Sequence, residues 1–399
     1  MIQRSVAFAL TLLLFGGTLA DDLVLKVEPK HSGRNVPCAA RVENAQPGPP
    51  ARLVDEAGSR LPCQWGVADG DGAPVLRWVE PDLAAGKALT RRLVSAEDVP
   101  ADAVKLTQAD GKVDVAMNGA LFTSYNFSPS DPKPYCWPII GPTGKPVTRA
   151  FPMVKDVPGE QHDHHHHRSW FFTFGSVNGT CFWSETDKSG VTRHLKFERL
   201  VSGPVFGEIV ARNAWVTKAG KKELEDVRTY RFYKVTDGFL VDWEITLLAT
   251  EGPVVMGDTK EGMASFRVAS SMIDKNGGKL TDSEGHVNAD CWGKQAKWCD
   301  FSGPVEGETV GIAMFDHPAS FRHPTYWHSR TYGLFGANPF GLSQYLKDKA
   351  KDGSHTIPKG DSLKFTYRVY VHKGSAEEAN LAEKYASYAE PPNVTVMKQ

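Results

Sequence analysis

The chain has 399 residues, of which 41% are hydrophobic and 23% charged. This composition is typical of a globular protein of two to three domains and excludes long disordered or collagen-like segments. Lys and Arg number 46 against 47 Asp and Glu, which gives a formal net charge of -1. No overall positive field therefore exists to hold a phosphate backbone, and nucleic acid is not an expected partner.

The first 20 residues predict a signal peptide that is removed on export. An apolar run, residues 6–15, is followed by small residues at Thr18 and Ala20 ahead of Asp21, the pattern that signal peptidase cleaves. The run is shorter than the ~20 residues that a bilayer span needs, which favours cleavage over an uncleaved anchor. No later segment is apolar enough to cross a membrane, so we expect a mature protein in the periplasm or secreted from the cell.

The mature chain predicts an all-β fold in two parts. Residues 21–104 alternate short apolar runs with turns rich in Pro and Gly, and predict a small N-terminal β-sandwich. Aromatic-rich strands continue through residues 105–374 and predict a large β-sandwich as the main body. Helical periodicity is nearly absent before residues 375–388, so residues 375–399 are expected to form a short helix and a tail. No G-x-G-x-x-G or Walker sequence occurs, which disfavours a dinucleotide or ATP enzyme.

Six cysteines in an oxidising compartment permit up to three disulfides without requiring any. Cys38 with Cys63 is the favoured pair, because both fall in the small N-terminal segment. Cys291 with Cys299 is a weaker second pair. No C-x-x-C spacing occurs, so a cysteine-based zinc site or a thioredoxin-like redox motif is not expected.

The first candidate for chemistry is the histidine-rich segment 159–170, which holds five of the 13 histidines just before an aromatic strand. Alternate residues of an extended segment face one way, so His162, His164 and His166 are expected to converge while His165 and His167 point elsewhere. Imidazole binds first-row metals and titrates near neutral pH. Two functions fit: a divalent-metal site on His164, His166 and His167, or proton transfer and hydrogen bonding to a polar substrate. The third interpretation is a solvated polar loop.

The second candidate is the charged turn 257–262, in which Asp258, Lys260 and Glu261 fall within four positions. Neighbouring charges move carboxyl pKa values, which suits acid–base chemistry or the binding of substrate hydroxyls. Arg267 follows on the next strand with the same side-chain parity as Glu261. Six residues of straight strand span roughly 20 Å, so we expect the two to line one face without pairing directly. A solvated β-turn with incidental charges is the alternative.

The third candidate is the segment 321–332, in which His323 lies in a proline-containing turn. The strand after the turn is expected to place four side chains on one face: Tyr326, His328, Arg330 and Tyr332. Aromatic planes beside Arg and His donors are what a saccharide needs, because its C–H faces stack and its hydroxyls require directional partners. The alternative is core packing in which the polar tips satisfy one another.

Two tryptophans are lesser candidates. Trp137, on a proline-rigid loop, fits a stacking platform for a sugar and fits core packing equally well. Trp183 is followed by Glu185 where an aromatic strand ends, and an exposed strand terminus explains that carboxylate without chemistry.

Taken together, residues 135–372 resemble a family of exported bacterial proteins labelled methane oxygenase PmoA. The motifs that carry the resemblance are D-H-H-H-H-R (163–168), V-N-G (177–179), F-W (182–183), G-D-T-K-E-G (257–262), H-P-T-Y-W-H (323–328), Y-G-L-F (332–335) and N-P-F-G (338–341). His165 departs from the family pattern, which has proline there, so it is the ring of this segment with the weakest claim to a shared role.

The label itself implies no mechanism here. The methane monooxygenase subunit that it names is built from transmembrane helices, and this sequence shows none after its signal. The resemblance implies instead a galactose-mutarotase-like super-sandwich, whose concave sheet face brings His, Arg and carboxylate side chains to a sugar. A fold does not fix a reaction, so the step to carbohydrate chemistry is an analogy.

The leading hypothesis is an exported carbohydrate-active protein, an enzyme of the hydrolase, lyase or epimerase type, acting on a small-molecule or oligosaccharide substrate. Glu261 is the predicted base, and His164 or His328 the predicted acid. The predicted substrate-binding residues are Trp137, His166, His167, Arg168, Asp258, Lys260, Arg267, His323, Tyr326 and Arg330. The alternatives are a metal-dependent enzyme with a histidine-rich site and a non-catalytic glycan-binding protein.

Overall fold

The computed structural model describes residues 23–43, 45, 51–68, 71–96 and 102–398. The predicted signal peptide, residues 1–20, lies outside these residues. Within them the chain is nearly all β with a short C-terminal helix, and the predicted fold class is confirmed.

In chain order, the described residues form the strands β1 (Leu23–Glu28), β2 (Gly33–Arg41), β3 (Ala51–Val54), β4 (Arg60–Val67), β5 (Pro74–Leu83), β6 (Leu89–Ser95), β7 (Val104–Ala109), β8 (Lys112–Met117), β9 (Ala120–Asn126), β10 (Tyr135–Ile139), β11 (Trp170–Phe174), β12 (Val191–Val201), β13 (Phe206–Val216), β14 (Lys222–Tyr233), β15 (Gly238–Leu248), β16 (Val254–Met256), β17 (Gly262–Arg267), β18 (Lys279–Asp282), β19 (Trp298–Val305), β20 (Glu308–Asp316), β21 (Leu334–Ala337), β22 (His355–Ile357), β23 (Ser362–Lys373) and β24 (Asn393–Lys398). The α-helices are α1 (Leu342–Tyr345) and α2 (Leu381–Ala389), and short 3-10 helices span Ser270–Met272, Asp274–Asn276 and Asn288–Cys291.

The first sheet has the strand order β2-β5-β4-β3-β6-β1-β24. Alternation of apolar residues builds it: Leu25 and Val27 of β1 are fully buried, whereas Lys26 between them is only half-buried. Its core surrounds Trp78 of β5. Strand β24 pairs antiparallel with β1, so the end of the chain, predicted as a tail, returns to the N-terminal sheet as an added strand.

Two further sheets pack face to face and form the main body. One has the order β21-β17-β11-β10-β9-β8-β7, and the other β12-β13-β14-β15-β23-β20-β19-β18; β16 and β22 form a small separate pair. Trp170 of β11 lies edge to face with Tyr230 of β14 and Trp243 of β15, at 5.2 and 5.1 Å. Such rings bury large apolar areas, which explains why the strands on both sides of this core are rich in aromatic residues.

The seven-stranded sheet that contains β11 carries a second apolar layer on its other face. Successive side chains of a strand point to opposite faces, so Phe171 points away from the core that buries Trp170. There Phe171 packs with Tyr135, Trp183 and Leu334. This layer, called the aromatic floor below, supports the candidate site.

Helix α2 covers the end of the eight-stranded sheet. Leu381, Tyr385 and Tyr388 are buried against a cluster that includes Phe315 of β20 and Tyr370 of β23. None of the helices in the described residues combines the length and the apolar character needed to cross a bilayer.

The predicted Cys38–Cys63 disulfide is wrong, because both thiols are free. Cys38 of β2 and Cys63 of β4 pair with the same residue, Trp78 of β5, from opposite sides. Two strand spacings, about 9–10 Å, separate their backbones, whereas a disulfide needs Cα atoms within about 7 Å. Cys291 and Cys299 are also free. Burial raises the pKa of Cys63 and of Cys291 to about 12.

Candidate functional site

The three sequence motifs lead into three strands that lie side by side. Strand β17 pairs antiparallel with β11 on one side and with β21 on the other. The histidine-rich segment precedes β11, the charged turn precedes β17, and the segment 321–332 precedes β21. Residues as distant in sequence as His164 and His328 are thereby brought to one sheet.

The segment 326–330 extends this sheet beyond β21. The backbone N–H of His328 donates to the carbonyl oxygen of Gly336 at 2.8 Å, and β-bridges on both sides continue the pairing. Directly opposed residues project to the same face, so His328, Gly336 and Ser265 share the face that carries Phe171. The polar side chains gathered on this face, called the sheet-face cluster below, are His164, His166, His167, Lys260, Glu261, Arg267, His328, Arg330 and Tyr332.

A buried arginine holds the histidine-rich segment in place. Arg149 is fully buried, and it donates to the carbonyl oxygens of Gln161 (3.1 Å), Asp163 (2.8 Å) and His164 (2.9 Å). A guanidinium presents five donors in a rigid fork, so one side chain fixes a loop that has no strand pairing of its own. The segment is therefore not extended. The prediction that His167 points away is wrong, because its ring stacks on that of His164 at 4.8 Å.

Asp163 connects this loop to β17. Its Oδ2 accepts from Nδ1 of His164 at 2.8 Å, and its Oδ1 accepts from Arg267 at 2.6 Å and from Arg149 at 2.5 Å. Burial opposes ionisation, but the positive charges of Arg267, His164 and Arg149 outweigh it and lower the pKa of Asp163. The ionised carboxylate fixes a proton on Nδ1 of His164. The opposite nitrogen, Nε2, makes no hydrogen bond within the described residues and is available to exchange a proton.

His164 lies parallel to two other rings of the cluster. Tyr332 stacks on it at 4.9 Å and His167 at 4.8 Å. The guanidinium of Arg267 lies 4.7 Å from the ring centre of Tyr332 and donates to Nδ1 of His167 at 3.2 Å. The histidine-rich segment, strand β17 and the segment 321–332 are thus in direct side-chain contact.

Three imidazoles of the cluster are neutral at neutral pH. Burial, reinforced by the ammonium of Lys133, lowers the pKa of His166 to about 3. Burial also holds the pKa values of His167 and His328 well below the ordinary range, with added repulsion on His328 from Arg330. A neutral ring donates from one nitrogen and accepts at the other, which suits the binding of hydroxyl groups.

His328 is buried between two tryptophans. Its ring stacks on Trp183 at 5.8 Å and meets Trp292 edge-on at 5.2 Å. The residue is only 3% exposed, yet its Nδ1 has no hydrogen-bond partner in the part of the chain that the structure describes. A buried polar atom left in this state costs about 1–3 kcal/mol, so a native structure that keeps one has a reason for it.

The charged turn places Lys260 and Glu261 beside the cluster. Nζ of Lys260 forms an ion pair with Oε1 of Glu261, and both side chains are 31% exposed. Beyond the effect of burial, the carboxylate of Glu261 helps to raise the pKa of Tyr332, and the ammonium of Lys260 helps to lower that of His328. The turn borders the cluster because β17, which follows it directly, pairs with β11 and β21.

Arg330 borders the cluster on the outermost segment of the sheet. Its guanidinium lies flat against the indole of Trp292, 3.6 Å from the ring centre, in a cation–π contact. The side chain is only half-buried, so it borders solvent as well as the cluster.

Two predicted substrate-binding residues have partners away from the cluster. The carboxylate of Asp258 accepts from the backbone N–H and the hydroxyl of Ser343, which fastens helix α1. Nδ1 of His323 donates to Asp316 at 2.8 Å, and its Nε2 lies 3.5 Å from the hydroxyl of Tyr385. Since the fold uses their hydrogen-bonding groups, both are left out of the site.

Arg168, also predicted to bind substrate, belongs to a buried ion network. It donates to Glu185 from Nε and Nη2 and to Asp131 from Nη1. Lys133, whose side chain is 1% exposed, pairs with the same Glu185. These four residues are called the Lys133–Glu185 network below. The interpretation of Glu185 as an exposed strand terminus is wrong, because its side chain is only 7% exposed.

The two predicted stacking residues lie at the margins. Trp137 packs beside the aromatic floor and makes no ring–ring contact among the described residues, and its indole Nε1 is buried without a partner. Tyr326 stacks on Tyr345 of α1 at 5.5 Å, and the hydroxyl of Tyr345 donates to the carbonyl of Lys260 at 3.2 Å. This contact fixes the charged turn relative to the edge segment.

Three residues that build the site were not singled out by the sequence: Arg149, Asp163 and Trp292. Asp163 directly precedes His164, and an acid beside a histidine was the available signal. Arg149 and Trp292 lie outside the three motifs, and no local pattern distinguishes them from any other Arg or Trp.

The geometry gives no support to the metal-dependent alternative. Within the described residues, no three His, Cys, Asp or Glu side chains form a group that could hold a metal ion. The Nδ1 atoms of His164 and His167 are already engaged by Asp163 and Arg267, which removes two of the nitrogens that such a site would use.

Two surface cavities lie elsewhere on the molecule. One, of about 310 Å³, is lined in part by residues 233–239, and the other, of about 430 Å³, in part by residues 185–191. Neither is lined by a residue of the sheet-face cluster. The site is therefore located by its chemistry, through the Asp163–His164 pair and the buried Nδ1 of His328, which has no hydrogen-bond partner among the described residues.

The whole chain resembles several solved structures at low identity. A protein in the glycosyl hydrolase family 38 from Enterococcus faecalis matches at 9% identity with a TM-score of 0.41, covering 94% of this chain and 47% of that one. An alpha-mannosidase from Enterococcus faecalis V583 matches at 8% identity with a TM-score of 0.43, covering 95% and 47%. The chain thus spans about half the length of these two relatives.

Another solved structure matches over part of the chain. A galactose mutarotase related enzyme from Lactobacillus acidophilus matches at 8% identity with a TM-score of 0.24, covering 67% of this chain and 97% of that one. No residue role follows from similarities at this level. In sequence, no curated protein matches this chain.

The predicted membership of the family labelled methane oxygenase PmoA is wrong. The family model that matches the chain, over residues 112–386, is instead that of a family of unknown function, DUF6807. The matched residues include all three strands that carry the site and more than half of the chain. The chain therefore belongs to the family DUF6807.

Proposed function

We propose that this protein is a carbohydrate-active enzyme of the hydrolase, lyase or epimerase type, which uses acid–base chemistry on the sheet-face cluster. The observation that carries the proposal is the Asp163–His164 pair, joined by a 2.8 Å hydrogen bond on a face shared with Glu261 and with the bare Nδ1 of His328. A site that only binds needs no oriented proton-exchanging ring beside a carboxylate.

His164 and Glu261 are the proposed proton-transfer groups. Each of these reactions requires one group to take a proton and another to give one. Asp163 holds the ring of His164 so that its Nε2 is the exchanging atom, as a carboxylate does for the histidine of a catalytic triad. Glu261, its charge balanced by Lys260, takes the opposite role.

His328 has a binding role in this proposal. Burial keeps its ring neutral, so it hydrogen-bonds a substrate hydroxyl at Nδ1 and does not act as the strong acid. A hydroxyl at that position satisfies the buried nitrogen, which has no hydrogen-bond partner among the described residues. Of the two acids that the sequence offers, His164 is therefore the better candidate.

The substrate class follows from the side chains that surround these groups. Tyr332 and Trp292 offer aromatic planes, while Arg267, Arg330 and Lys260 offer donors, and a sugar presents apolar C–H faces together with hydroxyls. On the basis of the predicted signal peptide, we propose that the activity takes place in the periplasm or outside the cell.

The test is a screen for chemical change. The purified chain is incubated with a panel of oligosaccharides and oxidised sugars, and products are read by mass spectrometry. On the substrate found, we expect His164→Gln and Glu261→Gln each to lower turnover about 100-fold or more, the usual contribution of a general acid or base. His165→Gln, an exposed neighbour in the same loop, is the matched control and is expected to retain activity.

Two outcomes contradict the proposal. Oligosaccharides that bind saturably and are recovered unchanged after long incubation identify a non-catalytic glycan-binding protein. Turnover that survives in both His164→Gln and Glu261→Gln shows that the chemistry lies elsewhere. Repeating the screen with added chelator distinguishes a metal-dependent reaction, which the proposed acid–base chemistry does not require.

A further inference from the structure

The charges around the sheet-face cluster do not balance. Asp163 forms ion pairs with two guanidiniums, those of Arg149 and Arg267. The carboxylate of Glu160 also acts on Arg149, so these two arginines are matched by two carboxylates and the charge in excess is that of Arg330. Glu261 is matched by Lys260 alone. Burial, reinforced by repulsion from Arg149, lowers the pKa of Arg267 to about 10.

Arg330 adds a further positive charge that no carboxylate meets. Within the described part of the chain, its guanidinium makes no ion pair and no side-chain hydrogen bond, and its only close partner is the face of Trp292 at 3.6 Å. Stacking occupies the flat face of a guanidinium and leaves its in-plane N–H groups exposed at the rim. Those donors form the fork that matches a carboxylate in two parallel hydrogen bonds.

The position of Arg330 places this fork at the proposed sugar site. Arg330 is opposed to Leu334, and Leu334 to Arg267, so the two arginines lie on one row of the sheet face with a single apolar residue between them. Arg330 is also close enough to His328 to add to the lowering of its pKa. The unpaired guanidinium and the unpartnered Nδ1 of His328 are thus neighbours.

Resting on the proposed function, we infer that the site takes acidic sugars, uronic acids or glycans that contain them, and that the guanidinium of Arg330 binds the sugar carboxylate. The carboxylate supplies the negative charge that the cluster lacks. Its planar shape fits the fork of Arg330, whereas a neutral sugar leaves that charge uncompensated. Arg330 is then the residue that separates acidic from neutral substrates.

Matched ligands test this directly. Methyl glycosides of glucose, galactose and mannose are compared with the corresponding methyl uronides, which differ only in the carboxylate at C6, by titration calorimetry on the full chain. At least one uronide is expected to bind about tenfold or more tightly than its neutral partner, because a hydrogen bond between charged groups contributes on that scale. The corresponding 6-sulfates distinguish a carboxylate from a sulfate ester.

Variants assign the preference to one residue. Arg330→Met is expected to remove the preference for the uronide, and Arg330→Lys, which keeps the charge and loses the fork, to retain only part of it. Arg34→Gln is the matched control: that arginine is 72% exposed and pairs with Asp82 on the first sheet, so the same loss of charge there leaves binding unchanged. Circular dichroism checks that each variant is folded.

The outcomes separate this inference from the proposed function. Neutral glycosides that bind as tightly as the uronides, or a preference that persists in folded Arg330→Met, overturn the inference while a sugar-modifying activity still stands. A 6-sulfate that binds more tightly than the uronide overturns the assignment of a carboxylate. If no sugar in either panel is bound or altered, the proposed function fails, and the inference fails with it.

Discussion

The Lys133–Glu185 network and the sheet-face cluster are neighbouring sets of polar side chains that differ in how completely their charges and hydrogen-bonding groups are paired. In the network, two cations meet two carboxylates, and Arg168 alone makes hydrogen bonds to both Glu185 and Asp131. In the cluster, Nδ1 of His328 and the guanidinium of Arg330 have no hydrogen-bond partner among the described residues. Both sets lie against the same sheet, so the difference does not come from the fold class.

The contrast distinguishes polar groups that stabilise the fold from polar groups that are available to bind a ligand. A buried ion pair that loses one partner leaves a charge in a medium that solvates it poorly, so a complete network stabilises only as a whole. Leaving one nitrogen of a neutral imidazole without a hydrogen bond costs less free energy, and a folded protein tolerates it. The exposed fraction of a side chain does not distinguish the two kinds of group, whereas its hydrogen-bond and ion-pair partners do.

The largest expected effect comes from breaking the network. Glu185→Gln leaves Lys133, with a side chain 1% exposed, without its carboxylate, and we expect the free energy of unfolding to fall by about 3–5 kcal/mol. Urea denaturation followed by tryptophan fluorescence measures this change.

The double variant Lys133→Met/Glu185→Leu is the control for that measurement. It removes the charges of Lys133 and Glu185 together and leaves Arg168 paired with Asp131 alone, so its stability is expected to lie between that of Glu185→Gln and that of the parent. If Glu185→Gln proves as stable as the parent, the network does not stabilise the fold. The distinction drawn between the network and the cluster is then wrong.

The sequence predicts the fold class well because a strand has a sequence pattern that is visible within its own few residues. Alternation in β1 and the aromatic runs of β11 and β15 are readable within a few residues. The pairing of β24 with β1 cannot be predicted from a few residues, because the two strands are far apart in sequence and their pairing depends on which sheet edge is open. The Cys38–Cys63 pairing failed for a related reason: nearness in sequence does not show that β5 lies between the two strands.

The site could be predicted in its residue types and less well in its geometry. The motifs contain His164, Glu261 and His328, because clustered ionisable residues stand out in any sequence. The orientation of the histidine-rich segment does not follow from strand alternation, because Arg149 folds that segment as a loop. Asp258 was read as a binding group, whereas its oxygens fasten helix α1, and only coordinates reveal that a carboxylate is already occupied.

The next largest expected effect is a dependence of the free energy of unfolding on pH, which arises from His166 of the sheet-face cluster. The charged and titratable groups that act on His166 are Lys133, His164, Glu185 and His165. Its pKa in the folded protein is about 3, against an ordinary 6.5, so below pH 6.5 the ring takes up a proton only when the chain unfolds. The free energy of unfolding must therefore fall as the pH falls from about 6.5 toward 3, by roughly 1–2 kcal/mol between pH 7 and pH 5 from this residue.

Comparison of two histidine variants isolates that contribution. His166→Asn is expected to lose less stability between pH 7 and pH 5 than the parent does, in urea unfolding at each pH. His162→Asn, which alters an exposed ring in the same loop that does not act on His166, is expected to keep the slope of the parent. Equal slopes in all three proteins would show that His166 is not held neutral by its surroundings.

The smallest expected effect on stability concerns His328. Replacing it with Leu removes a buried nitrogen that has no hydrogen-bond partner among the described residues. That gain offsets the lost contacts with Trp183, Trp292 and the backbone of Lys260. We expect the free energy of unfolding to stay within about 1 kcal/mol of the parent, because an apolar side chain relieves the cost of an unsatisfied polar atom. Sugar binding, measured by calorimetry on the same preparation, is expected to weaken about tenfold or more. A loss of stability comparable to that of Glu185→Gln would place His328 among the groups that hold the fold, and the distinction between the two sets of polar side chains would disappear.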